Sequence, residues 1–288
     1  MTGPVEHLVG DHGDSAAGPT LVVVAGLHGN ERAALEALES LHRRLARRGG
    51  GMAGRVVLMV GNRGALAAGR RFLDTDLNRI WTDPQSLEGV GREAEERREL
   101  GAAFDHIAEA ACGPPHCLDL HTSSAPSPPF VVGLEGASRL LAEAVGAPVV
   151  LGFDRFLDGM MISALAAEGW RAAAFEVGEG RHDGARVLAR GAASVMAWLG
   201  LPGEGTAGRE SLAEGEVSPE LEVVYRHAIP PGAHFEMRPG WSTFDAVAAD
   251  QLLAHQDGAP VRAPLAGRLL LPRYQDHGAD GFFIAVER

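Results

Sequence analysis

Histidine and glutamate residues occur at two places in the sequence where a metal ion could be held. His28 and Glu31 follow an apolar run at 21–27, and His121 follows a second apolar stretch that contains Asp119. Two imidazoles and one carboxylate leave the fourth position of a tetrahedral zinc ion open for water, as in a catalytic site. His28, Glu31 and His121 are therefore the candidate metal ligands. Each fragment alone also fits a structural histidine at a strand end.

A carboxylate and two arginines lie near other predicted strand ends. Glu176 lies at the end of an apolar strand and is a candidate general base, with Glu179 in the following turn as the alternative. Arg71 and Arg79 lie in a polar segment between a strand and the next helix, and arginine suits bidentate binding of a carboxylate. A solvated strand end and a polar surface loop are the alternative interpretations of these segments.

The elements that would position these residues alternate between strand and helix. Apolar runs predict strands at 21–27, 55–60, 117–120, 130–134, 148–151 and 172–177. Helical spacing of apolar residues predicts helices after Asn30 and at 92–112, 138–145, 162–167 and 185–199. This alternation predicts an α/β sandwich with a mostly parallel sheet, in which ligands bind at the carboxyl ends of the strands.

The composition changes near Gly200, which predicts a domain boundary. Residues 201–220 are rich in Gly, Glu, Ser and Pro, and only short strand-like segments follow. The sequence therefore predicts a catalytic α/β domain at 1–203 and a small β-rich domain at 208–288. We expect the second domain to narrow the mouth of the site.

The overall composition is that of a globular chain with a strongly acidic balance. Of 288 residues, 45% are hydrophobic and 22% are charged, and the formal net charge is −12. An acidic surface argues against nucleic acid as a partner, because phosphate binding needs a basic face. No apolar run approaches the roughly 20 residues that cross a bilayer, and no signal peptide is recognisable, so we expect no membrane partner and a cytoplasmic location. Cys112 and Cys117 are expected to be reduced thiols.

Four motifs, taken together and in this order, resemble the aspartoacylase and succinylglutamate desuccinylase family, which is related to the zinc carboxypeptidases. The motifs are Gly26-x-His28-Gly29-Asn30-Glu31, Arg71-x-x-Asp74-x-Asp76-Leu77-Asn78-Arg79, Asp119-Leu120-His121 and Glu176-x-Gly178. The resemblance extends over about residues 20–200 and only loosely beyond. It implies a carboxypeptidase-like α/β domain followed by a small β domain.

The resemblance also implies a function and a role for individual residues. It implies a zinc-dependent amidohydrolase that removes the acyl group from a small anionic N-acyl amino acid. One zinc ion per chain would be held by His28, Glu31 and His121. Arg71 would polarise the scissile carbonyl, Glu176 would activate the attacking water, and the substrate would be bound by Asn78, Arg79 and Tyr274.

Some positions depart from the family pattern and leave the substrate open. The family often has Asn-Pro where this chain has Asn62-Arg63. A further arginine that binds the substrate side chain has no firm match, and Arg155 and Arg171 are the candidates. Two alternative functions remain: a zinc carboxypeptidase acting on peptides, and a non-catalytic zinc-binding protein derived from the enzyme.

Overall fold

A computed structural model describes residues 7–48, 52–83, 89–178, 181–201, 212, 220–276 and 278–288. Its largest feature is a mixed sheet of eleven strands. In spatial order these are β1 (Leu8–Gly13), β3 (Arg55–Val60), β2 (Thr20–Ala25), β4 (His116–Ser123), β7 (Arg171–Gly178), β5 (Phe130–Val132), β6 (Val149–Leu151), β8 (Glu220–Ala228), β14 (Asp280–Glu287), β13 (Gly267–Leu270) and β10 (Ala246–Val247).

The centre of this sheet is parallel and covered on both faces by helices. Strand β2 pairs in parallel with β3 and β4, and β4 pairs in parallel with β7. The helices are α1 (Arg32–Arg48), α2 (Arg63–Ala68), α3 (Arg92–Ala110), α4 (Arg139–Ala144), α5 (Met161–Ala167) and α6 (Gly184–Trp198). The predicted α/β fold is therefore confirmed.

The continuous apolar run of β2 is explained by burial on both of its sides. Every residue of this strand is buried. Leu21 and Val23 pack in a core with α1, α4 and α6, whereas Val22 and Val24 pack on the opposite face in a core with α3 and α5. Since successive side chains of a strand point to opposite faces, a strand covered on both sides needs apolar residues throughout.

The polar segment after β3 contains a short helix that was not predicted from the sequence. The side chain of Asn62 accepts a hydrogen bond from Ala65 N at 2.9 Å and so caps the start of α2. Gly69 ends the helix in the left-handed region, with φ of 61°. Six residues are too few for a clear helical period, which is why the pattern did not reveal α2.

The C-terminal strands extend the central sheet. Strand β8 pairs in parallel with β6, placing Val149 opposite Glu220, and β14, β13 and β10 follow outwards. A separate three-stranded sheet contains β9 (Phe235–Met237), β11 (Leu252–Gln256) and β12 (Ala259–Arg262) and shares an apolar core with β10, β13 and β14. The predicted boundary at 203–208 lies outside the described residues and stays a prediction.

None of the helices in the described part of the chain is both long and apolar enough to cross a membrane.

Candidate active site

The three candidate metal ligands meet at the carboxyl ends of β2 and β4. These strands are neighbours with Ala25 opposite Leu120, so His121 lies next to the turn that carries His28 and Glu31. Glu31 Oε1 is 2.7 Å from His28 Nδ1, and Glu31 Oε2 is 3.1 Å from His121 Nδ1. All three residues are buried. Parallel pairing therefore brings together ligands that lie about 90 positions apart in the sequence.

The second nitrogen of each imidazole is held by a further carboxylate. His28 Nε2 is 3.1 Å from Asp76 Oδ1, and His121 Nε2 is 2.6 Å from Asp119 Oδ2. Because an ionised carboxylate only accepts hydrogen bonds, each Nε2 donates, and Nδ1 is the ring nitrogen that faces Glu31. This is the arrangement of metal-binding histidines, whose other nitrogen donates to a carboxylate. The donor set fits a zinc ion.

The electrostatics of the site also favour a cation at its centre. Burial raises the pKa of Glu31, but the charges of His121 and His28 lower it by more. The pKa of Glu31 therefore lies well below its ordinary value. Burial lowers the pKa of His121, whereas Asp119 and Glu31 raise it by more, and the result is a strongly raised pKa. Positive charge is therefore stabilised where the three ligand side chains converge.

Glu176 lies near the end of β7, beside the ligands. In the parallel pairing of β4 and β7 it is opposite His121, and its half-buried side chain lines the same cleft. Burial raises the pKa of Glu176 to about 7, with Glu31 adding to the increase and His121 opposing it. A carboxyl group with a pKa near neutrality can take up and release a proton at ordinary pH. The alternative base, Glu179, lies outside the described residues.

The loop after α2, residues 70–79, carries Arg71 and Arg79 and is called the arginine loop here. It contacts the candidate ligand His28 through Asp76. Arg71 Nη2 donates to Asp76 Oδ2 at 3.1 Å, while Asp76 Oδ1 lies beside His28 and also accepts from Asn78 N at 2.9 Å. Asp76 thereby caps the short turn at Leu77–Arg79. Burial raises the pKa of Asp76, but His28, Arg71 and Arg79 together lower it well below its ordinary value. One carboxylate thus ties the arginine loop to a candidate ligand.

Asn78 and Arg79 are each oriented by a distant part of the chain. Asn78 Oδ1 accepts a hydrogen bond from Met161 N at 2.8 Å, so the amide nitrogen is the end that can donate to a ligand. Arg79 Nη2 donates to Asp280 Oδ2 at 3.2 Å, and Asp280 Oδ1 accepts from Arg226 Nε at 2.7 Å. Strand β14 therefore contributes directly to the site, and β8 supports it through the pairing of Arg226 with Asp280.

Sequence reasoning missed Glu93, which holds the arginine loop from behind. Its buried carboxylate accepts from Asn62 Nδ2 at 3.0 Å and from the backbone nitrogens of Leu73, Asp74 and Thr75 at 2.7, 2.9 and 3.2 Å. In the sequence Glu93 is one of several acidic residues at the start of a charged helix. No local pattern distinguishes it from the exposed Glu95, because only the folded loop supplies its donors.

The candidate residues line one cleft with a polar floor and an apolar wall. The cavity has a volume of about 130 Å³ and opens to solvent at its mouth. The polar residues include the ligands, Glu176 and the arginine loop. The apolar wall consists of Val132, Phe153, Leu157, Met160, Ile162 and Phe283. The C-terminal strands and their loops contribute Leu271, Arg273, Gln275, Asp280 and Phe283.

The other predicted substrate-binding residues lie away from this cleft. The Tyr274 hydroxyl donates to Arg238 O at 2.9 Å and accepts from Trp241 N at 2.9 Å, on the outer side of its loop. Its neighbours Arg273 and Gln275 line the cleft instead, since alternate residues of an extended segment face opposite sides. The structure thus does not bring Tyr274 to the ligands.

Arg155 and Arg171 are also placed elsewhere. Arg155 pairs with Glu222 at 2.7 Å and donates to Val223 O. Arg171 begins β7, at the opposite end of the strand from Glu176, where it lies beside His116. Neither arginine is among the described residues that line the cleft.

A second group of potential metal ligands lies near the N-terminus. His7 Nε2 is 3.3 Å from carboxylate oxygens of both Glu96 and Glu99. Arg63 pairs with the same two carboxylates and already supplies a positive charge there. This group therefore forms an ion-pair network that ties the start of β1 to α3, and the ligand set at Glu31 is the stronger metal site.

The fold and the site together define a class of protein. A parallel sheet that carries His, Glu and His at adjoining strand ends, with a glutamate and an arginine loop beside them, could hold a metal ion in an open cleft. Residues 17–200 match the model of the Succinylglutamate desuccinylase/Aspartoacylase catalytic domain. The chain belongs to this family, as its motifs predicted.

Individual relatives share part of the sequence or the fold with this chain. A succinylglutamate desuccinylase from Burkholderia cenocepacia is 38% identical over 113 residues, which make up 38% of this chain and 32% of that protein. The match thus spans about a third of the relative's length. The crystal structure of a succinylglutamatedesuccinylase/aspartoacylase from Rhodobacter sphaeroides has a TM-score of 0.71 at 21% identity, covering 96% of this chain and 87% of that one. The product-bound structure of the ectoine utilization protein EutE (DoeB) from Ruegeria pomeroyi has a TM-score of 0.68 at 20% identity, and the match covers 94% of this chain and 85% of that one.

Proposed function

We propose that the protein is a zinc-dependent amidohydrolase that removes the acyl group from a small N-acyl amino acid. One zinc ion per chain is held by His28, Glu31 and His121. The observation that carries this proposal is the orientation of the two imidazoles. Both turn Nδ1 toward Glu31 while a carboxylate holds Nε2, an arrangement that is common among metal-binding histidines.

The surrounding residues support hydrolysis of an amide. A bound zinc ion supplies Lewis acidity and lowers the pKa of a water molecule towards roughly 7. Glu176 takes a proton from the attacking water and passes it to the nitrogen of the leaving amine, as its pKa of about 7 favours. Water oxygen bonds to the carbonyl carbon, the C–N bond breaks, and a carboxylic acid and a free amino acid leave.

The arginine loop supports substrate binding and charge stabilisation in this reaction. Arg71 stabilises the negative charge that develops on the carbonyl oxygen. Asn78 and Arg79 hold the carboxylate of the amino acid, since both line the cleft and carry N–H donors that suit a carboxylate. The residues that β14 and the adjoining C-terminal loop contribute to the cleft favour a small substrate over a peptide.

The test is hydrolysis of a substrate panel by metal-free and zinc-loaded protein. N-acetyl, N-succinyl and N-formyl amino acids are compared with short peptides of the same amino acids. We expect hydrolysis of N-acyl amino acids that is lost on chelation and restored by one equivalent of zinc. Faster hydrolysis of the peptides would favour a carboxypeptidase, and zinc binding without turnover of any substrate would favour a non-catalytic protein.

A further inference from the structure

We propose that Arg273 binds a second carboxylate of the substrate, in addition to the amino-acid carboxylate at Asn78 and Arg79. This inference rests on the proposed function and concerns the same cleft. The second carboxylate belongs either to the side chain of the amino acid or to the acyl group, and the same cation would bind it in both cases. Arg273 is thereby assigned as a residue that determines substrate specificity.

Arg273 lines the cleft with a guanidinium group that has hydrogen-bond donors to spare. Its Nη1 donates to Gly278 O at 2.9 Å, its Nη2 donates to Phe235 O at 3.3 Å, and the group lies over the Phe235 ring. These contacts orient the side chain, but all of them are made to neutral groups. The buried Nε–H has no hydrogen-bond partner among the described residues, and each terminal nitrogen carries a second N–H. A carboxylate is the partner that this planar fork of N–H groups fits best.

Arg273 is also the cation of the cleft that the proposed reaction leaves unused. The chain contains no lysine, and Arg71, Arg79 and Arg273 are the arginines that line the cleft in the described part of the chain. Arg71 pairs with Asp76 and Arg79 pairs with Asp280, whereas Arg273 forms no ion pair with a carboxylate of the described residues. Burial lowers the pKa of Arg273 by more than the nearby carboxylates raise it. Its half-buried charge therefore lacks the partner that a substrate carboxylate would supply.

The backbone places Arg273 next to the residues that hold Arg79. Arg273 N donates to Gly281 O at 2.9 Å, and the preceding residue, Asp280, accepts from Arg79 Nη2 at 3.2 Å. Asp280 also pairs with Arg226 at 2.7 Å, so two other arginines already compensate its charge. This end of the cleft therefore carries an excess of positive charge, which suits a substrate with two carboxylates.

Gln275 adds a neutral donor beside Arg273. Both side chains line the cleft, because alternate residues of an extended segment face the same side, and Tyr274 between them faces away. The side-chain amide of Gln275 can donate a hydrogen bond to a carboxylate oxygen. Arg273 with Gln275 thus repeats the donor chemistry of Arg79 with Asn78.

The test compares substrates that differ by a carboxylate and an amide of nearly equal shape, on the zinc-loaded full-length protein. N-acetyl-aspartate and N-acetyl-asparagine test a carboxylate on the amino-acid side chain. N-succinyl-alanine and N-succinamoyl-alanine test a carboxylate on the acyl group. In at least one pair we expect kcat/KM to be about 10–100-fold higher for the carboxylate compound, since hydrogen bonds between charged groups are stronger than those to an amide. The pair that shows this preference identifies which carboxylate Arg273 binds.

Two variants and a control connect the preference to Arg273. Arg273→Gln should reduce the preference about 10-fold or more, mainly by raising KM for the carboxylate compound. Arg262→Gln is the matched control, because it removes an arginine from an exposed position on β12 that does not line the cleft, and it should leave both ratios unchanged. Circular dichroism reports whether each variant is folded. Arg273→Lys keeps the charge but loses the planar fork, so it should reduce the preference by less, and it serves as the test if the glutamine variant is not folded.

The outcomes separate this inference from the proposed function. A wild-type protein without a preference in either pair would overturn the role of Arg273 and leave the amidohydrolase assignment standing. A folded Arg273 variant with unchanged ratios would do the same. If zinc-loaded protein hydrolyses no N-acyl amino acid, the proposed function itself fails. Dissociation constants of the four compounds, measured by calorimetry on wild type and Arg273→Gln, then decide whether Arg273 binds a carboxylate.

Discussion

Replacing Glu93 with glutamine should destabilise the protein and disturb the cleft without removing a metal ligand. The substitution keeps the shape of the side chain but turns one carboxylate oxygen into an NH2 group. At present Oε1 accepts from Asn62 and Leu73, and Oε2 accepts from Asp74 and Thr75. In the variant, two of these donors would face another donor, since an amide nitrogen cannot accept a hydrogen bond.

The expected cost follows from the two buried donors that lose their acceptor. Each unsatisfied buried group costs about 1–3 kcal/mol, and loop relaxation will recover part of this, so we expect a loss of about 2–4 kcal/mol in the free energy of unfolding. Glu95→Gln is the matched control. Glu93 and Glu95 both lie in the first turn of α3 and interact similarly with the helix dipole, but Glu95 is exposed. Its replacement should cost no more than about 0.5 kcal/mol.

The assay combines denaturant unfolding with steady-state kinetics and zinc content. Because Glu93 holds the loop that presents Arg71, Asn78 and Arg79, we expect Glu93→Gln to lower kcat/KM while one zinc per chain is retained. Amide hydrogen exchange at residues 73–75 should also become faster. The reasoning is refuted if the variants at 93 and 95 have the same stability and the same kcat/KM.

The acid dependence of stability offers a further check on Glu93. Burial raises its pKa, but hydrogen bonds from Asn62 and from the loop backbone lower it by more, so the pKa in the folded state is below the ordinary 4.5. A lowered carboxyl pKa means that this contribution is present above about pH 4.5 and is lost as the pH falls through the folded-state pKa. The stability difference between wild type and Glu93→Gln should therefore shrink in acid.

Four further predictions concern the site and the opposite end of the sheet. Glu176→Gln should retain zinc and fold normally but lose about 10²–10⁴-fold in kcat; loss of zinc would make Glu176 a ligand instead. Arg71→Ala should mainly lower kcat and Arg79→Ala mainly raise KM, and wild-type kinetics in both variants would disprove these roles. His121→Ala should abolish stoichiometric zinc measured by elemental analysis, so a fully loaded variant would refute the ligand assignment. Burial lowers the pKa of His116 in the folded protein from 6.5 to about 4. The neutral histidine therefore contributes stability that is fully present above pH 6.5 and is lost as the pH falls towards 4. Between pH 7 and pH 5 wild type should lose about 2 kcal/mol more than His116→Phe, and parallel pH profiles would contradict this.

The sequence by itself determined the type of fold and the grouping of the three candidate metal ligands, because both depend on local patterns. The run at 21–27 is apolar at every position, and only a strand covered on both faces needs this. His28 and Glu31 follow that strand within one turn, and His121 follows a neighbouring strand. A parallel sheet places such ends on one edge, so their meeting could be expected without coordinates.

Tertiary structure alone decided how the cleft is completed. Arg79 and Asp280 are 201 positions apart, and their ion pair exists because β14 joins the sheet beside β8. Glu93 resembles its acidic neighbours until the folded loop supplies four donors to its carboxylate. Arg273 and Tyr274 are neighbours in an extended segment, so their side chains point to opposite sides of it. Arg273 lines the cleft and Tyr274 does not, and a shift of this segment by one residue would exchange the two. These contacts depend on long-range packing, which no local spacing of residue types encodes.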